Sequence, residues 1–261
     1  MRRGAIVFMS KKKIVILVTV IAFLILTAVS TFAVVTRNAH ASDAKTTTLH
    51  LAFTGLVTNG QSKGSPITGG LTEVVRSTDY FNGNLHLSDG TKIATSGKLD
   101  DGKMTLSFYN AVGTPVIKGV GHLTKAGGFV GTFQVFYNNK QTGTGIWSAS
   151  PVNDPGDVLA FAFAGIDTAG HDASTNYTGT LVLNKKRLMG TFNSPEGTLV
   201  SVTAILSKAH VLSVRFHLAE DVEIIGIGTP SHIGKLEGFA GTFTGPISGD
   251  TGKWVAYGFR F

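Results

Sequence analysis

The sequence predicts an all-β protein: two tandem antiparallel meander units of about seven or eight strands each, following an N-terminal hydrophobic helix. Three observations carry this reading. Apolar residues alternate with polar ones at a period of two, clusters of turn residues separate the alternating runs, and the chain repeats itself after about 110 residues.

The N-terminal element is of a different kind. Residues 14–35 contain no charge, and Lys11, Lys12 and Lys13 precede them, with Arg2 and Arg3 further upstream. A helix of that length reaches about 33 Å, enough to cross a hydrocarbon core of about 30 Å. Five positive charges ahead of it, against Arg37 alone after it, keep the N-terminus in the cytoplasm and send the rest out. Ala39 and Ala41 flank His40 as an A-x-A site. Residues 1–41 therefore read either as a signal peptide released before Ser42 or as a signal anchor that holds the protein to the membrane through residues 14–35. The expected location is the cell envelope or the extracellular space.

Charge follows the same division. The 261 residues hold 23 lysines and arginines against 16 acids, for a net charge of +7, yet six of the 23 lie in the first 41 residues with no acid among them. The exported part is close to neutral, so the excess orients a helix and no nucleic-acid partner is expected. The chain has no cysteine, which excludes a disulfide framework, thiolate catalysis and Cys-ligated metal sites.

The duplication is legible by eye. Phe53 and Gly55 of LAFTG correspond to Phe163 and Gly165 of FAFAG; Thr68, Gly69 and Leu71 to Thr178, Gly179 and Leu181; and GFVGTF at 128–133 to GFAGTF at 238–243. After a three-residue slip, Gly119 and Gly121 fall on Gly226 and Gly228, and Gly145, Trp147 and Ala149 on Gly252, Trp254 and Ala256. The units are residues 42–150 and 151–261, with a linker, SPVNDPG, at 150–156. Residues 39–48, small and polar, read as a tether ahead of the first unit.

Within each unit, Leu49, Leu51 and Phe53, then Met104, Leu106 and Phe108, and in the second copy Leu212, Val214, Phe216 and Leu218, occupy alternate positions, as in strands with one buried face. Asp89-Gly90, Asp101-Gly102, Ala126-Gly127, Glu196-Gly197 and Gly249-Asp250 supply the turns. The glycines at 119, 121, 131, 226, 228 and 241 fall inside strands, where a sheet bends sharply or a backbone approaches closely. Short hairpins, Gly-rich bends and a G-x-W in each copy make the pattern similar to the calycin group of lipocalins and avidins in strand count and rhythm. That resemblance implies small closed barrels or barrel-like sandwiches. The G-x-W here falls on the last strand of each unit, not near the start as in lipocalins, and no ligand-binding residue is carried across.

Motifs for catalysis are weak. GQSKG at 60–64 fits G-x-S-x-G around Ser62, but Pro66 and a strand follow it where a nucleophile elbow needs a helix, and the second copy has no counterpart. The histidines are scattered singly without metal-ligand spacing, and Asp100-Asp101, Asp89 and Glu196 read as turn residues. No catalytic residue, cofactor or metal is assigned.

The duplication has kept aromatic residues and glycine. Phe133, Phe243, Trp147 and Trp254 read first as a core and bend signature, and second as the wall of a barrel mouth that receives an apolar small molecule or a glycan. The chain ends WVAYGFRF, which resembles the aromatic terminal strand of outer-membrane barrels. The functional expectation is an exported, non-enzymatic protein with a binding or structural role. The alternatives are a barrel hydrolase or isomerase and, behind it, a single outer-membrane barrel.

Overall fold

The computed structural model describes residues 47–75, 79–170, 172–219, 222–245 and 249–261. The hydrophobic segment 14–35, the A-x-A site and residues 39–46 of the tether lie outside the described residues. Among the described residues the chain forms sixteen strands and one 3-10 turn. The first eight are β1 (Thr47–Gly60), β2 (Pro66–Val75), β3 (Tyr80–Leu87), β4 (Lys92–Asp100), β5 (Lys103–Tyr109), β6 (Pro115–Leu123), β7 (Phe129–Tyr137) and β8 (Lys140–Pro151). After the turn at Pro155–Asp157 come β9 (Val158–Ala169), β10 (Asn176–Asn184), β11 (Met189–Asn193), β12 (Leu199–Leu206), β13 (Leu212–Ala219), β14 (Val222–Ile233), β15 (Leu236–Thr244) and β16 (Thr251–Gly258).

Each set of eight closes on itself as an antiparallel up-and-down barrel, β1 pairing with β8 and β9 with β16. The sandwich option is thereby settled in favour of barrels, and the chain makes two barrels where an outer-membrane protein of this length would make one. Following the register from Thr47 through Val75, Phe81, Gly97, Leu106, Gly119, Phe133 and Gly145 returns to β1 at Val57, ten residues along the strand. Eight strands with that stagger enclose a space that side chains can fill.

They do fill it. In barrel 1 Leu51, Phe53, Leu71, Leu85, Met104 and Leu106 are among the buried core residues; in barrel 2 Phe163, Leu181, Leu183, Val202 and Val214 occupy the same interior. The interior is apolar because the period-two alternation puts every second residue inside. Around the row just traced, large and small residues take turns, and aromatic rings lie over glycines. A Cβ on Gly97 would overlap the Phe81 ring, and one on Gly145 the Phe133 ring, as one on Gly252 would overlap Phe243.

The turns use the expected chemistry. Asp101 and Gly102 adopt φ of 44° and 72° at the β4–β5 hairpin, and Asp89 Oδ1 accepts from the Thr91 amide at 2.8 Å. The linker is shorter than the sequence suggests. Ser150 and Pro151 belong to β8, and Val152 is buried with its amide donating to the His50 carbonyl at 2.8 Å, so the link is a docked bend.

The barrels pack against each other. Ala52, Val152, Ala160 and Phe259 are buried in a shared cluster with Val158, Ala162, Val182 and Phe261 beside them. Ala52, Ala160 and Ala162 sit on the outward alternation of β1 and β9, where a small side chain lets two sheets approach. Asn193 Nδ2 donates to Ser148 Oγ at 2.8 Å, and Ser148 Oγ donates in turn to the Ser194 carbonyl, tying β8 to the end of β11. The terminal aromatic strand expected to reach Phe261 stops at Gly258; the Phe259 amide still donates to the Ala160 carbonyl of β9 at 2.9 Å, and Arg260 and Phe261 pass over barrel 1. There Phe261 meets His50 edge-on at 6.1 Å, and the Arg260 carbonyl rests on Gly70.

Candidate functional site

The structure places the four aromatic residues singled out from the duplication inside the two cores. Trp147 and Trp254 are 1% and 3% exposed, and Phe133 and Phe243 are also buried. Each indole is fixed on all sides by the same set of groups. Trp147 Nε1 donates to the Thr132 carbonyl at 3.2 Å and Trp254 Nε1 to the Thr242 carbonyl at 3.0 Å. The rings stack on Phe53 at 5.7 Å and on Phe163 at 5.8 Å. Their edges lie over Gly119 and Gly121, or over Gly226 and Gly228, where added Cβ atoms would strike them. A ligand that reached either indole would have to displace this packing.

The polar groups inside the barrels differ between the copies. In barrel 1 one interior layer runs Leu49, Glu73, Gly83, Thr95, Phe108, Ile117 by strand register. The same layer in barrel 2 runs Leu159, Leu183, Gly190, Val202, Phe216, Ile224. The layers match except that Glu73 and Thr95 stand where barrel 2 has Leu183 and Val202. Glu73 is fully buried. Its Oε1 accepts from Thr95 Oγ1 at 2.6 Å, and its Oε2 has no hydrogen-bond partner among the described residues. Burial pushes the carboxyl up to about 7, with the Thr95 hydrogen bond opposing in part. Such a group holds or releases a proton near neutrality.

Barrel 2 has its own polar pair, near the end at which β9 finishes. Tyr177 donates its hydroxyl to Asp167 Oδ2 at 2.6 Å, and Asp167 is 4% exposed. Burial, then the hydrogen bond and the charges of Asp167, Asp172 and Asp250, hold the Tyr177 proton well above the usual phenol range. The register positions equivalent to Asp167 and Tyr177 in barrel 1 are Val57 and Ile67.

Neither pair stands out in the sequence by motif. The signal for Glu73 was parity: it shares the inward alternation with Leu71 and Val75, and its counterpart in the second copy is leucine. No family model, curated protein or solved structure matches the chain. The calycin-like resemblance therefore stands on strand number and closure alone.

The remaining candidates sit on the surface. Ser62 lies in the five-residue hairpin loop between β1 and β2, with a strand on each side. On the outer face of barrel 2, Glu223 bridges Arg215 Nη1 at 3.1 Å and His217 Nδ1 at 2.8 Å, while His217 Nε2 meets Thr203 Oγ1 at 3.0 Å. His210 is in a turn at φ 58°, apart from His217. A shallow depression of about 280 Å³ is lined by Asp101, Lys103, Val120 and His122 with two glycines. His86, on the outer face of barrel 1, is held below its usual range by burial and by the Lys92 charge.

Proposed function

We propose that this chain is an exported, cell-envelope or secreted protein with a non-enzymatic binding or structural role, delivered by residues 14–35 and held by them where they are retained. The observation that carries the reading is the joining of two filled barrels into one body. The Ala52–Ala160–Phe259 cluster, the Ser148–Asn193 hydrogen bonds and the tail at 259–261 build a rigid double barrel. A rigid pair suits display of outer surfaces at a fixed spacing from a membrane. Polar and charged outward residues such as Lys98, Lys118, Arg215 and Glu223 support a body bathed in water.

The decisive experiment uses the exported portion from Ser42 onward. It is expected to be soluble and monomeric without detergent, with a fluorescence spectrum typical of buried tryptophan that apolar ligands and glycans leave unchanged. A ligand-dependent shift would move the binding role from the outer faces into the Trp147 and Trp254 cores. A requirement for detergent would favour a membrane barrel, and turnover of an ester or glycoside would refute a non-enzymatic role. Mass spectrometry of the native N-terminus separates cleavage after Ala41 from retention.

A further inference from the structure

Two copies of one fold provide an internal comparison for every interior position. The layer through Glu73 is apolar throughout in barrel 2, so the fold itself has no need of a carboxyl there. Barrel 1 nevertheless buries one, bonds a single oxygen to Thr95 and leaves Oε2 without a partner among the described residues. A buried, half-satisfied carboxyl weakens the closed state relative to leucine at the same place. It weakens that state far more once it carries charge, because no cation among the described residues is positioned to receive it.

The surroundings bear this out element by element. From β1, Leu49 faces Glu73 while His50 points outward and meets Thr72 Oγ1 at 3.2 Å. From β3 and β4, Gly83 and Thr95 face it; His86 and the Lys98–Asp100 pair lie on the outward alternation. From β5 and β6, Phe108 and Ile117 face inward, and Lys103 and Lys118 face out. Among the described residues, the Thr95 hydroxyl is the one polar side chain that meets the carboxyl, and as a donor it can serve one oxygen.

We propose that Glu73 and Thr95 form a proton-operated latch in barrel 1: the protonated carboxyl lets the barrel close as seen, and loss of the proton loosens β2, β3 and β4 around it. Barrel 2, with Leu183 and Val202 in these positions, carries no such latch and keeps its strands closed as the proton is lost. The carboxyl titrates at about 7, which sets the switch near neutrality. The strands that loosen adjoin the start of the path from the N-terminal segment, since Glu73 pairs with Leu49 two residues into β1 from Thr47.

The test is hydrogen exchange of the full chain in lipid nanodiscs, read by mass spectrometry between pH 5.5 and pH 8.5 after correction for the intrinsic pH dependence of exchange. Peptides from β2 to β4 are expected to lose at least about tenfold in protection as pH rises through 7, one pKa unit of differential proton binding corresponding to tenfold. Peptides from β10 to β12 should not change. Glu73→Gln should abolish the pH dependence, and Glu73→Leu with Thr95→Val, which installs the barrel 2 pair, should abolish it with protection at or above the low-pH wild-type level. The latch is overturned by flat protection of β2 to β4 in the wild type, by a parallel loss in β10 to β12, or by pH dependence that persists in either variant.

Discussion

Thr95 Oγ1 donates to Glu73 Oε1 at 2.6 Å inside barrel 1, at the two positions that are Val202 and Leu183 in barrel 2. The pair makes the stability of barrel 1 depend on pH with a definite sign. The folded-state carboxyl titrates at about 7 against an ordinary 4.5, so the folded state holds the proton more tightly than the unfolded chain does. The stability tied to that proton is fully present below about pH 4.5, falls as pH rises toward 7, and is gone above it. The full difference is roughly 3 kcal/mol.

Removing one partner differs from removing both. Thr95→Val leaves Glu73 with no hydrogen-bond donor among the described residues and should cost about 1–3 kcal/mol, whereas Glu73→Leu with Thr95→Val should return barrel 1 to at least wild-type stability at pH 8. Urea unfolding at pH 5 and pH 8 would show this as a non-additive pair of midpoints. An additive result would mean that the two side chains do not interact.

A second prediction concerns the indoles. Gly121 lies beneath the Trp147 ring and Gly228 beneath that of Trp254, with ring carbons 2.8 and 2.7 Å from where a Cβ would stand. Each ring is also fixed by its Nε1 hydrogen bond, so it cannot withdraw without losing it. Gly121→Ala and Gly228→Ala should each destabilise their own barrel by about 1–3 kcal/mol, while Val120→Ala, on the exposed face beside Gly121, should stay within about 0.5 kcal/mol. Thermal unfolding of the three variants gives the comparison.

These glycines show how far the sequence could be read. Their repetition at 119, 121, 226 and 228 marked a sharp bend or a close approach of backbone, but that the matching tryptophans are what covers them came only with the structure, although a duplicated fold must preserve both sides of a tight contact. Strand number and closure followed from alternation and turns for the same local reason. The barrel-to-barrel contact was less legible. Its surface consists of outward alanines at 52, 160 and 162, which local periodicity reads simply as the unburied face, and of a C-terminal tail whose aromatic residues resembled a strand. Glu73 was hidden because a single charge on an inward parity carries no motif. Only the paired layers reveal what it replaces.

The interface yields a third prediction. Asn193 is 3% exposed and supplies the donor that reaches Ser148 from the other barrel. Asn193→Ala should cost about 1–3 kcal/mol by leaving buried groups unpaired. Gly70→Leu should act differently, since its side chain would occupy the space of the Arg260 carbonyl and expel the tail. The expected result is faster carboxypeptidase trimming of residues 259–261 with both barrels still folded. Unchanged trimming would show that the tail does not depend on Gly70.

A fourth prediction uses the copies against each other at the far end of barrel 2. Tyr177 and Asp167 are joined at 2.6 Å, and the corresponding positions in barrel 1, Val57 and Ile67, are apolar. Tyr177→Phe takes away the hydroxyl and leaves Asp167 buried without that donor, so barrel 2 should lose about 1–3 kcal/mol. Substituting Asp167→Val together with Tyr177→Ile installs the barrel 1 pair in a scaffold of the same register and removes donor and acceptor at once. The double variant should therefore be more stable than Tyr177→Phe alone, although it loses more polar atoms. Denaturant unfolding of the two variants beside the wild type decides the matter. If the double variant is the less stable, Asp167 must support barrel 2 through contacts other than Tyr177.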